Sequence, residues 1–139
     1  MNDSSVYVVS PPTLHIPSGG LAFALISNDK VWQDAVIAIL EKGIQNQLTF
    51  YANEAGVKDP TAWVWYWHVV DNCSMIFIDM ASCSEHEIRM ALAMAKVDQP
   101  VIFHVKPGNS EFVALLNAVD IPHFDDFERL LAIMEVTLG

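Results

Sequence analysis

Two carboxylates, Asp79 and Glu87, are the residues of this chain best placed to do chemistry. Asp79 closes a short apolar run, Met75-Ile-Phe-Ile-Asp79, and a small, polar loop leads from it to a predicted helix with Glu87 in its first turn. In an open α/β sheet ligands bind outside the carboxyl ends of the strands, so this segment puts both acids at that edge. Paired carboxylates there suit glycosyl chemistry: one attacks the anomeric carbon, and the other manages the proton or orients the group that leaves. The same residues also have a purely structural use. Ser84-x-x-Glu87 has the spacing of a capping box, in which the serine hydroxyl accepts from the glutamate amide and the carboxylate reaches back to the serine amide. The two uses are compatible, because the helix dipole favours negative charge at a helix N-terminus.

Other chemistry-bearing patterns are missing. There is no GxGxxG, no phosphate loop ending in GK[ST], no HExxH and no GxSxG. Gly19-Gly20 precedes a strand instead of opening a helix, so it reads as a turn. The five histidines (15, 68, 86, 104 and 123) are dispersed and read as packing or surface residues; only His86, beside Glu87, stands near the acids. Cys73 and Cys83 form neither a CxxC nor a metal-binding spacing. No metal or other cofactor is implied. Trp63 and Trp67 share a helix face while Trp65 points elsewhere; they read as core, with base stacking as the alternative.

The composition narrows the class. At 139 residues the chain suits one domain with a core that needs neither metal nor disulfide. Hydrophobic residues make up 53% and charged ones 17%, which excludes intrinsic disorder. A net charge of −10 argues against nucleic acid or an anionic membrane as partner, since both need basic patches, and leaves a neutral small ligand open. No apolar run reaches the length of a membrane span. No secretory signal precedes the cysteines, so a cytoplasmic location with reduced thiols is expected.

The elements that must position the acids follow from the apolar pattern. Residues 1–20 read as an extended arm: Val6-Tyr7-Val8-Val9 is β-prone, and Pro11, Pro12, Pro17, Gly19 and Gly20 break regular structure. The α/β domain then covers residues 21–139. Leu21–Ile26 is a strand of the kind buried on both faces of a parallel sheet; Ser27-Asn28-Asp29 ends it and can cap a helix over 30–45. Strands follow at 48–51, 75–79, 100–105 and 121–124. Helices are expected over 60–71 (Asp59 as N-cap, Pro60 at the first helical position), 85–96, 110–117 and 125–137. This alternation predicts an α/β fold: a doubly wound, flavodoxin-like sheet of five parallel strands in the order 2-1-3-4-5, with helices on both faces. The aromatic helix 60–71 exceeds what one side of a thin sheet covers, so a homo-oligomer interface is expected there.

With these elements in place, Glu87-Ile-Arg-Met-Ala91-Leu-Ala93-Met-Ala95 resembles the Glu-x-Gly-x-Ala-x-Ala segment of the nucleoside 2-deoxyribosyltransferase family, including its looser deoxyribosyltransferase-like branch. The likeness extends over about residues 21–134: a first strand and a tryptophan-bearing helix (Trp32), a second strand ending near Tyr51-Ala-Asn53, and a tryptophan-bearing helix before a strand ending in Asp79. The resemblance implies that Glu87 attacks C1′ of a deoxynucleoside or nucleotide. The base then departs, and another base or water takes the sugar. Asp79 would assist proton transfer or hold the base. Ser27, Asn28, Tyr51 and Asn53, with Trp32, would line the sugar and base pocket. The chain departs from the family pattern at three places. Arg89 stands where the family has glycine, and would either crowd the pocket or bind a 5′-phosphate. Ser27 replaces the glycine after the first strand, and Ala95-Lys96-Val-Asp-Gln-Pro100 replaces a Gly-Lys-Pro stretch.

Two further classes compete with an N-glycosyl transferase or hydrolase. One is a non-catalytic fold relative that binds a nucleotide or serves in an assembly, its Val6–Pro12 arm adding a strand to a neighbour. The other is a TIR-like NAD glycohydrolase, which also relies on a single glutamate.

Overall fold

Among the described residues six strands form one sheet in which every pairing is parallel: β1 (Ser5–Val9), β2 (Leu21–Ile26), β3 (Leu48–Asn53), β4 (Met75–Asp79), β5 (Val101–His104) and β6 (His123–Phe124), in the spatial order β1-β3-β2-β4-β5-β6. The computed structural model describes residues 5–9, 21–44, 47–53, 67, 69–94, 100–105, 110–118 and 122–133. From β2 onward, the order is the 2-1-3-4-5 arrangement predicted from the apolar runs. The sixth strand comes from the arm. Its β-prone run lies parallel along β3, with Val6 opposite Phe50 and Val9 opposite Asn53, and so pairs the outer edge of this chain's own sheet. The proline- and glycine-bearing remainder of the arm lies outside the described residues.

The central strands are apolar at nearly every position because helices cover both faces. β4 is buried from end to end. Alternation along the strands sends Ala22, Ala24, Ile26, Ile76, Ile78 and Phe103 to one face and Phe23, Leu25, Met75, Phe77 and Ile102 to the other. Helix α1 (Lys30–Gly43) covers the second face with Trp32, Val36, Ile37 and Leu40. The first face carries α2 (Glu85–Met94) through Ile88 and Met90, and α3 (Ser110–Ala118) through Val113 and Leu116. Burying a phenylalanine such as Phe23 or Phe77 contributes about 2 kcal/mol, so the two-sided apolar row is the main force for the layered arrangement.

Helix starts follow the local capping chemistry. Asp29 caps α1, its carboxylate accepting from the Val31 amide. The closing helix begins later than the predicted Asp125: Asp126 is the cap, accepting from Glu128 N at 3.0 Å, and a 3₁₀ turn over Phe127–Arg129 leads into helix at 130–133. Of the predicted helix 60–71, the last turn is described, with Asp71 N–H bonded to Trp67 O at 3.0 Å and Val69 and Val70 buried against the sheet. Its cap at Asp59-Pro60, with Trp63 and Trp65, lies outside the described residues, as do 134–137, Ile121 and 106–109.

Candidate active site

The chain leaves β2 through α1 to reach β3 on one side, and leaves β4 through α2 to reach β5 on the other. The carboxyl ends of β2 and β4 therefore flank the topological switch point, where doubly wound sheets leave a crevice for ligands. The loops that follow these two strands meet there through side chains far apart in sequence. Ser27 Oγ donates to Asp79 Oδ2 at 2.8 Å and lies 3.0 Å from Ser82 Oγ. The Asn28 amide N–H donates to Ser82 Oγ at 2.9 Å, and Asn28 Nδ2 donates to Ser82 O at 3.0 Å.

Asn28 also holds Glu87. Its Nδ2 lies 3.0 Å from Oε1 and 2.9 Å from Oε2, so one amide hydrogen is shared by both carboxylate oxygens while the other goes to Ser82 O. All three neighbours of that nitrogen are acceptors, which fixes which end of the amide faces them. The capping box is complete in both directions: Ser84 N donates to Glu87 Oε1 at 3.0 Å and Glu87 N to Ser84 Oγ at 3.2 Å. Glu87 is thus fixed at the start of α2, half-buried, with its Oε2 carrying a single described bond.

Asp79 sits deeper. It is 2% exposed, Oδ2 accepts from Ser27, and Oδ1 accepts from the Ala81 amide at 3.1 Å, an Asx turn that starts the loop. Register then continues the row across the sheet: Asp79 lies opposite His104 and His104 opposite Phe124. His104 Nδ1 accepts from Trp32 Nε1 at 2.7 Å, so in this arrangement the ring carries its proton on Nε2. The 3.9 Å between His104 Nδ1 and Asp79 Oδ1 therefore separates two acceptors and is not an ion pair. The imidazole is stacked on Phe124, with centroids 4.7 Å apart, and lies against Phe127. Ser27 is bonded to the aspartate and not to the histidine, which is not the order that activates a serine nucleophile.

The structure brings Ser27, Asn28, Asp79 and Glu87 into one network, with Trp32 reaching its border through His104. It does not bring Arg89 or Tyr51 to them. Arg89 is exposed on α2 and pairs with Glu85 one turn back. Tyr51 is fully buried in the face that α2 and α3 cover. Asn53 ends β3, one strand away, and its side chain is not among those described. His86 is exposed, whereas His104, read from sequence as a packing or surface residue, borders the site.

Sequence reasoning missed Ser82, His104 and Gln33, whose Nε2 donates to Ser27 O at 2.9 Å. Ser82 was legible only as part of a small, polar loop, and His104 only as the end of a strand. Aligning the ends of the parallel strands is the signal that lines up Ser27, Asp79 and His104. The nearby thiol is held in its protonated form. Burial first, and then the charge of Glu87, push Cys83 up to about 12, and burial pushes Cys73 up to about 12. Among the described residues no group of three or more His, Cys, Asp or Glu side chains is arranged to hold a metal. In comparisons with known proteins, no family model and no curated sequence matches the chain.

Proposed function

We propose that the crevice between β2 and β4 cleaves or exchanges the N-glycosidic bond of a nucleoside or nucleotide through a covalent glycosyl–Glu87 intermediate. The observation that supports this most is the bifurcated hold of Asn28 on both Glu87 oxygens at the switch point. It orients a carboxylate at the edge where ligands enter such sheets, and leaves Oε2 with lone pairs for attack on C1′. The resemblance of the Glu87–Ala95 segment to the nucleoside 2-deoxyribosyltransferases points the same way. Incubation with deoxynucleosides and a second free base, followed by chromatography, tests the reading. Released base or an exchanged nucleoside is expected; neither product across the common nucleosides overturns it.

One observation favours a second reading, a non-catalytic module. The capping box and the Asn28 contacts satisfy Glu87 internally, as a purely structural acid would be. Glu87→Gln separates the two. A catalytic Glu87 loses turnover in this variant, because an amide cannot form the glycosyl ester; a structural one leaves ligand or partner binding intact. In either reading self-association through the aromatic segment ending at Trp67, which is 43% exposed, is expected, and light scattering at tens of micromolar checks it.

A further inference from the structure

Asp79 is buried with both oxygens bonded, so anything it does to a ligand must pass through its neighbours. Two hydroxyls lead outward from it: Ser27, fully buried, and Ser82, half-buried in the loop after β4. Backbone amides set the direction of this chain. Asp29 N–H donates to Ser27 Oγ at 3.0 Å and Asn28 N–H donates to Ser82 Oγ at 2.9 Å, so each hydroxyl has one lone pair occupied. The Ser27 proton goes to its nearest acceptor, Asp79 Oδ2 at 2.8 Å, ahead of Asp29 O at 3.3 Å. The 3.0 Å contact between the serines is then made by the Ser82 proton. Both hydroxyl protons point inward, and Ser82 keeps a second lone pair beside the residue that holds Glu87.

We propose that Ser82 and Ser27 form a proton path between the rim of the crevice and Asp79, with Ser82 as the group that touches the reacting acceptor. The proposal rests on the N-glycosyl reading above and assigns the path to one step, discharge of the glycosyl–Glu87 ester. An acceptor, water or the N–H of a nucleobase, attacks C1′ as the bond from C1′ to the Glu87 oxygen breaks and its electron pair returns to the carboxylate. The acceptor's proton passes to Ser82 Oγ, the Ser82 proton to Ser27 Oγ, and the Ser27 proton to Asp79 Oδ2. Before the next turnover Asp79 gives this proton back along the same hydroxyls to solvent, and the departing base takes its own proton from solvent. Formation of the ester needs Glu87, while its discharge needs the path.

The test separates these steps. With a deoxynucleoside and a second base, Ser82→Ala is expected to keep the initial burst of released base and to slow transfer to the acceptor about a hundredfold, with loss of the solvent isotope effect on transfer. Ser82→Thr, which keeps the hydroxyl, is expected to restore both. Transfer that is as fast in Ser82→Ala as in the wild type overturns the path. A readout independent of turnover is the carboxyl carbon resonance of Asp79 in labelled protein. It should move in Ser82→Ala, although Ser82 does not touch Asp79, and stay in place in Ser82→Thr. A moved resonance in a protein that releases no base upholds the path and removes the N-glycosyl reading; an unmoved resonance overturns the path even in an active enzyme.

Discussion

Two regions adjoin at the carboxyl edge of the sheet and share Asp79 as their border. On the β2 side Ser27, Asn28, Ser82 and Glu87 join through short hydrogen bonds between loops. On the β5 side His104, Trp32, Phe124 and Phe127 pack ring against ring, with a single hydrogen bond from indole to imidazole. The same register row supplies both, polar at Ser27 and Asp79, aromatic from His104 to Phe124. The contrast shows how one sheet edge can be polar at one end and aromatic at the other. On the β2 side the polar groups satisfy one another across two loops. Beside a closing helix, the same edge is sealed by rings, and the one polar nitrogen facing inward is given a donor.

Substitutions on either side should separate activity from stability. Glu87→Gln is the largest expected effect: turnover falls below detection, because no glycosyl ester can form. The fold survives at a cost of about 1 kcal/mol, since the amide oxygen still accepts from Ser84 N while its nitrogen no longer suits Asn28. Chromatographic turnover and urea unfolding check the two halves of that statement. A variant that remains active would place the crevice with the aromatic corner, as packing only.

Asp79→Ala should come next, with a loss of about 2 kcal/mol in unfolding free energy, because the buried Ser27 Oγ–H loses its nearest acceptor and is left with the longer contact to Asp29 O, and the Asx turn to Ala81 N–H is lost. Asp79→Asn keeps one carbonyl acceptor and should cost about half as much, while slowing discharge of the glycosyl–Glu87 ester and leaving a slow residual reaction. If both variants unfold alike, the border acid acts through size and not through hydrogen bonds.

On the aromatic side Trp32→Phe removes only the N–H that satisfies His104 Nδ1, so a loss of about 1 kcal/mol is expected, with base release unchanged. Base release that falls as steeply as in Glu87→Gln would erase the distinction between the two regions.

The smallest effect is one of pH and lies away from both. Burial holds the Cys73 thiol at about 12 against an ordinary 9.0, so the folded protein keeps it protonated where the unfolded chain ionises. Its folded value is raised, so the stability it contributes is complete below pH 9 and declines as pH rises toward 12. From about pH 8 to about pH 10 the wild type should lose about 1 kcal/mol more than Cys73→Ala. Parallel alkaline limbs in the two proteins would show that this thiol does not carry the effect.

Much of the scaffold was legible in the chain. Continuous apolar runs at 21–26 and 75–79 marked strands buried on both faces, and the Ser27-Asn28-Asp29 segment and the Ser84-x-x-Glu87 box marked helix starts that the structure contains, with Asp29 as the cap of the first. The closing helix was expected from Asp125, whereas Asp126 is its cap and the helical turn starts at Phe127; the bond from Glu128 N to the Asp126 carboxylate decides that start. At the site, the two acids and their positions at strand end and helix start were legible, whereas their partners Ser82 and His104 were not.

The physical reason is range. Strand burial and helix capping act between neighbours a few residues apart, so sequence alone determined which elements form and where the capped helices start to within a residue or two. The site is built from pairs 52, 59 and 72 residues apart: Ser27 with Asp79, Asn28 with Glu87, and Trp32 with His104. Those pairs depend on how the parallel strands slide against one another, and a slip of one residue would turn every side chain in the row to the opposite face. Tertiary packing on both faces of the sheet chose the register. That choice put Ser27, Asp79, His104 and Phe124 in one row and Asn28 over Glu87.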